Sequence, residues 1–261
     1  MDQVLYRREG AVEVVTLNRP ESKNSFSFAL IKELGDHFQS LTLQDDVRAV
    51  IITGAGKGFC TGADLNSPDN RPDIVLPVGM RLTTQWYSRV VGGIMNLEKP
   101  VIGAINGVAA GAGCNLALSC DILIASEAAR FIQVFVRRGL ISDMGGTFFL
   151  PRLIGLARAK QLMFSGDEVD ARRALELGLV NKIVPEDELM PAAMELAQRL
   201  AHGPTRAIGM MKNMLNRSFE SDLESALERE AAMQGIAVST SDVKEGVMSF
   251  FERRPPNFAG N

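Results

Sequence analysis

Two stretches of this chain each run a β-branched strand into a glycine-rich bend, and that repetition restricts the fold more than any other feature. The first spans Ala49 to Leu65 (AVIITGAGKGFCTGADL) and the second Pro100 to Asp121 (PVIGAINGVAAGAGCNLALSCD). Valine and isoleucine runs suit buried strands, whereas glycine lets the backbone turn sharply and come close to a ligand. The second bend then opens a helix, whose first N–H groups lack partners within the helix and can hold an anion. Main-chain amides need no particular side chain, so the signal lies in the bends and their flanks.

The rest of the chain repeats the same rotation. Val4 to Arg8, a Glu9-Gly10 turn and Ala11 to Asn18 read as a hairpin with period-2 alternation, ended by Pro20. From Ser27 to about Thr42, Leu30, Ile31, Leu34, Phe38 and Leu41 recur at helical spacing. A strand at Ala49 to Thr53, a helix near Gly79 to Leu97, a strand at Val101 to Ile105, a short helix through Leu116 and a strand at Ile122 to Ala125 follow. Strand, bend and helix in rotation predict an α/β protein with mostly parallel pairing. Between Asn66 and Pro77 the closely spaced Pro68, Pro72 and Pro77 mark a loop, either a lid beside a site or an idle excursion.

From about Leu189 the strands stop. Pro191 to Ala201, Thr205 to Leu215, Phe219 to Ile236 and Asp242 to Arg253 read as helices, with Leu223, Leu227, Val243, Val247 and Phe250 forming apolar faces that need cover. The expected division is a core over residues 1–188 and a helical region over 189–261.

A chain of 261 residues, 46% hydrophobic, buries a large core and is not disordered. With 28 basic and 31 acidic side chains it carries a net charge of −3 and no basic block, so nucleic acid is not an expected partner. Cys60, Cys114 and Cys120 show no metal-type spacing and leave an odd count, which fits a reducing compartment. Cys60 and Cys114 sit beside the bends, where small buried thiols are expected rather than nucleophiles. His37 and His202 fall in polar helical stretches, and no metal site is expected. No apolar run matches a membrane span and the N-terminus does not read as a signal peptide, so a cytoplasmic location is expected.

The blocks GKGFCTGADL, INGVAAGAGCNLALSCDI, GGTFFLPRLIG and SGDEVDARRALELGLVNKIVP, in this order over nearly the whole chain, resemble the enoyl-CoA hydratase/isomerase, or crotonase, superfamily. The resemblance implies a crotonase-like ββα spiral core with a C-terminal helical oligomerisation region, assembled as a homotrimer or a hexamer made of two trimers. It implies an acyl-CoA thioester substrate, with CoA belonging to the substrate and no separate cofactor. It also implies two amides forming an oxyanion hole for the thioester enolate, carried over by position to the N–H groups of Thr61 and Ala112. On the same basis Asp64 shapes the loop that receives the adenine, with Ala63 and Leu65 offering backbone groups. Lys23 and Ser25 fit the segment running along the pantetheine and phosphates, and Phe250 is a further CoA-contact candidate. Lys57, and Arg253 near the C-terminus, are weaker phosphate candidates whose alternative is a solvated charge.

Hydratase members of that family use two glutamates, whose positions here hold Asn115 and Phe135. Neither an amide nor a phenyl ring exchanges protons at neutral pH. Asp143 stands where isomerase-type relatives project an aspartate toward the acyl α-carbon, and apolar surroundings from Phe131 and Phe135 would raise its pKa. The alternative is that Asp143 caps the helix opening at Gly145-Gly146-Thr147. Asn115 either bonds substrate, orients Asp143 or is a satisfied buried amide. Trp86 and Tyr87 line either the core or the acyl pocket. Three functions therefore stand open: an enoyl-CoA isomerase, which the residues favour, a hydratase with non-standard acids, and a silent acyl-CoA binder.

Overall fold

The N-terminal alternation produces a hairpin. In the computed structural model, which describes residues 2–64 and 76–261, β1 (Val4–Glu9) and β2 (Val12–Leu17) pair antiparallel across Gly10. Helix α1 (Phe28–Ser40) follows, started by the Ser27 hydroxyl, which accepts from the Leu30 N–H at 3.1 Å. Its apolar stripe, Leu30, Ile31, Leu34 and Phe38, is fully buried.

Three successive ββα turns come next. They are β3 (Ala49–Gly54), β4 (Gly58–Cys60) and α2 (Leu76–Asn96); β5 (Val101–Ile105), β6 (Val108–Ala110) and α3 (Ala112–Leu118); and β7 (Ile122–Ser126), β8 (Arg130–Ile132) and α4 (Gly146–Ile154). The first strand of each turn joins one sheet and the second joins another. Thus β1-β2-β3-β5-β7-β10 form six strands, with β10 (Lys182–Val184) at the edge, and β4-β6-β8-β9 form four, with β9 (Glu168–Asp170) closing the set. Pairing is parallel except for β1 with β2 and β8 with β9, as the rotation of strand and helix predicts. Helices α5 (Leu156–Ser165) and α6 (Ala171–Leu177) fill the connection to β10.

The larger sheet is covered on both faces, which is why its strands read as continuous apolar runs. One face carries the main core, reached by Leu30, Phe38, Val50, Ile52, Ile94 and Leu116. On the other, Ala49, Ile51, Ile102 and Ala104 meet α7 (Leu189–Ala201) through Leu189, Ala193, Ala197 and Ala201. Helix α7, on the helical side of the expected division at residue 188, thus closes the core sheet, and three further α-helices follow it. These are α8 (Thr205–Asn216), α9 (Leu223–Ala237), which has no buried residue, and α10 (Ser241–Glu252). Leu65 and 66–75 of the expected loop lie outside the described residues, and α2 begins within that stretch at Leu76, placing Pro77 in a first turn, where its missing N–H is tolerated. No described helix is long and apolar enough to cross a membrane.

Candidate active site

The two bends meet because the strands leading into them pair. β4 and β6 run parallel, Gly58 opposite Val108 and Cys60 opposite Ala109, which sets the first bend beside the start of α3. Gly62 has a φ of 84°, and a Cβ there would lie 3.0 Å from the Ala110 carbonyl oxygen and 3.2 Å from the Ala112 nitrogen. Gly113 is packed still closer, since its Cβ would stand 2.2 Å from the Cys60 carbonyl oxygen. Any side chain at either position would push the bends apart.

The structure corrects one of the two expected amides. The Thr61 N–H donates to the Lys23 carbonyl oxygen at 3.2 Å and is not available to a ligand. Two residues on, Ala63 pairs with Phe26: the Phe26 N–H donates to the Gly62 carbonyl at 2.7 Å and the Asp64 N–H to the Phe26 carbonyl at 3.0 Å. Successive groups of extended backbone face opposite ways, so the Ala63 N–H points away from Phe26. Ala63 is exposed, and among the described residues its N–H has no acceptor. Ala112, the first residue of α3, likewise has an N–H with no acceptor among them. Its conformation is unstrained, because Gly111 takes the positive φ of 55°. The free pair is thus Ala63 and Ala112.

Asp143 is led to this pair by Asn115, three residues beyond Ala112 on α3. Asn115 Nδ2 donates to the Asp143 carbonyl oxygen at 2.8 Å and to Ser142 Oγ at 3.0 Å, while its Oδ1 accepts from Gln133 Nε2 at 2.8 Å. Both amide hydrogens are committed, so Asn115 orients the Asp143 segment, and the expectation of a substrate contact falls. The capping alternative for Asp143 falls too: Gly145 is the cap residue of α4 and no side chain bonds the helix start. The carboxylate instead has a buried Oδ1 with no partner. Burial raises its pKa to about 6, against which its own N–H pulls only weakly.

Tyr87 is buried nearby, and burial first, then the charges of Asp143 and Cys60, raise its phenol above the usual range. Its ring lies 5.9 Å from that of Phe26, which ties it to the first bend. Trp86 is half-buried against the same core, with Lys32 and Arg89 over its ring at 5.7 and 4.5 Å and Phe28 at its edge. The Phe135 ring covers Gly111, where a Cβ would meet it at 3.7 Å. Phe131 lines a small cavity with Leu150, Leu162 and Val169.

Around the first bend, Lys23 is exposed, and a Cβ on Gly58 would lie 3.1 Å from its Cβ, which sets Lys57 close by. Ser25 is buried, its carbonyl held by Arg19 Nη1 at 2.7 Å; Arg19 Nη2 meets the Asp64 carboxylate at 2.7 Å. Asp64 thus pins the loop. Sequence reasoning missed Arg19 and Gln133, neither of which stands in a glycine bend, and assigned Ala63 a CoA contact rather than a free amide.

Phe250 and Arg253 are exposed at the end of α10, and among the described residues neither side chain is bonded to the bends. Helix α10 and the tail are anchored at Arg48, which donates to the Gly203 and Phe258 carbonyls at 2.5 and 3.1 Å, before the first residue of β3. The bends lie beyond the last. Cys60 and Cys114 are buried thiols pushed up to about 12 by desolvation, hence not nucleophiles. His37 is stacked on Tyr6 and bonded to Glu13 at 2.5 Å, His202 is exposed, and no cluster of metal-ligating residues occurs among the described residues.

Residues 7–261 match the model of the enoyl-CoA hydratase/isomerase family. The chain is 40% identical to 1,2-epoxyphenylacetyl-CoA isomerase of Escherichia coli K12, over 100% of this chain and 99% of the relative. It is 39% identical to the short-chain-enoyl-CoA hydratase of Clostridium acetobutylicum, over 97% and 96%. The crystal structure of enoyl-CoA hydratase from Bacillus anthracis superposes with a TM-score of 0.94 at 34% identity, covering 100% of both chains. That of an enoyl-CoA hydratase/isomerase from Cupriavidus metallidurans CH34 gives 0.91 at 34%, covering 100% of this chain and 97% of the other. With its paired bends, its two interlocked sheets and this likeness from end to end, the chain belongs to the enoyl-CoA hydratase/isomerase family, a crotonase-type acyl-CoA enzyme.

Proposed function

We propose that this enzyme moves a carbon–carbon double bond along an acyl-CoA, with Asp143 as its single acid and base. The carrying observation is a buried, unpartnered carboxylate oxygen on a segment bonded to α3, the helix that presents the free Ala112 amide. The ionised carboxylate removes a proton from C2 of a 3-enoyl thioester. The electron pair passes to the thioester oxygen, where the Ala63 and Ala112 N–H groups hold the dienolate. The carboxylic acid then returns the same proton at C4, leaving a 2-enoyl thioester with no net gain or loss of atoms. Each donor of such a pair is worth about 2.7–4 kcal/mol in the transition state.

Lys23 and Lys57, side by side and exposed, would meet the CoA phosphates, and CoA would come and go as part of the substrate. Substituting Asn for Asp143 should remove conversion of 3-enoyl-CoA while CoA-ester binding, read by calorimetry, persists. Turnover undiminished in that variant would end the proposal. The 40% relative is named for an epoxide substrate, which makes an aryl acyl group bearing an epoxide the second class to assay. The hydratase reading has the 39% relative in its favour, but Asn115 and Phe135 occupy the positions of both hydratase acids. Release of a 3-hydroxyacyl-CoA from a 2-enoyl-CoA would promote it, and binding without any product would favour a silent binder.

A further inference from the structure

Asn115 holds Asp143 only if its amide sits one way round. As placed, its Nδ2 faces the Asp143 carbonyl oxygen and Ser142 Oγ; turned over, its Oδ1 would oppose that carbonyl, acceptor against acceptor. The other end of the amide is held in the same orientation by Gln133, at the junction of β8 with the turn Val134–Arg138. Gln133 is 4% exposed, and its Nε2 donates to Asn115 Oδ1 at 2.8 Å and to Cys114 Sγ at 3.5 Å. Its own Oε1 is buried without a partner. Leaving an acceptor unpaired in the interior is costly, and a glutamine that accepts this cost to aim its N–H end at Asn115 points to a role beyond packing.

Resting on the isomerase reading, we propose that Gln133 is a positioning residue: by fixing the Asn115 amide it holds the main chain at Asp143 and so places the carboxylate against the acyl α-carbon. Gln133 acts through Asn115, and among the described residues it makes no hydrogen bond to Asp143 itself. Gln133→Met keeps the chain length and removes the donor. Gln133→Glu donates to Asn115 only while protonated. The titratable groups facing this position are the Cys114 thiol, Asp167 across the small cavity and, through Asn115, Asp143.

Steady-state kinetics on a 3-enoyl-CoA test the role. In Q133M kcat should fall about 10²-fold, the scale expected when a reacting group is misplaced by about 1 Å, with KM little changed. In Q133E kcat should be partly restored at acid pH and lost as the new carboxyl ionises, an alkaline limb absent from the parent enzyme. Melting temperature and CoA-ester binding on the same preparations report the fold; if Q133M does not fold, the alkaline limb of Q133E decides alone. Parent-like kcat in Q133M, or losses in Q133E that do not vary with pH, as a packing defect would give, overturns the proposal. Activity surviving in D143N would overturn the isomerase reading itself, whereas an inactive D143N beside a fully active Q133M removes only the role of Gln133.

Discussion

A carboxyl group with a pKa of about 6 is mostly ionised at neutrality, ready to take a proton, yet basic enough to hold and return it. The acid limb of kcat/KM for 3-enoyl-CoA should therefore titrate near pH 6, rising as Asp143 ionises. Stability should move the opposite way. The folded pKa lies above the usual 3.8, so the burial penalty is absent below about pH 4, grows between there and pH 6, and is complete above. Asn in place of Asp143 should stabilise the protein at pH 8 by up to about 3 kcal/mol and leave it unchanged at pH 3.5, measured by urea unfolding. Asp143 and Ala112 were legible in the sequence because each stands at a fixed offset from a glycine motif. Ala63 was not: which of the alternating amides of residues 61–64 faces the cleft depends on their pairing with Phe26, a contact across more than thirty residues that no local pattern encodes.

At the scale of elements, the site is a seam between β4 and α3 kept narrow by glycine. Gly62→Ala places a methyl group against the Ala112 nitrogen at a φ of 84°. It should lower kcat on the order of 10²-fold, the loss of one amide donor, with a smaller effect on unfolding. Gly113→Ala drives a methyl into the Cys60 carbonyl and should destabilise by about 1–3 kcal/mol as well as abolish turnover, seen in denaturant midpoint and rate together. The long strands and helices were readable from periodicity, since β3, β5 and α1 offer enough residues to display it. The four-stranded sheet was not, because three-residue strands such as β4, β6 and β8 show no alternation and hide inside the bends.

On the scale of the whole molecule, apolar side chains crowd the helices beyond α7. Leu215, Phe219, Leu223, Leu227, Val247 and Phe250 are all more than half exposed, more than a lone chain usually leaves in contact with water. We propose that copies of this chain cover them in a trimer or a pair of trimers, and that a neighbouring copy supplies Phe250 and Arg253 to the CoA site. Sedimentation should show that assembly, and Leu223→Asp with Leu227→Asp should reduce it to monomers. The sequence displayed the apolar faces of these helices but not which of them covers the large sheet, because α7 carries the same helical signal as its successors and differs in what lies opposite.

The bond from Thr61 to the Lys23 carbonyl, which removes one amide from the chemistry, gives that amide another consequence. It ties the segment that would grip the nucleotide end of the substrate to the turn that presents Ala63, so tension at one is felt at the other. Attachment far from the reacting carbon can then tighten the grip on the enolate, and a thioester trimmed back to its pantetheine arm should turn over more slowly even when saturating.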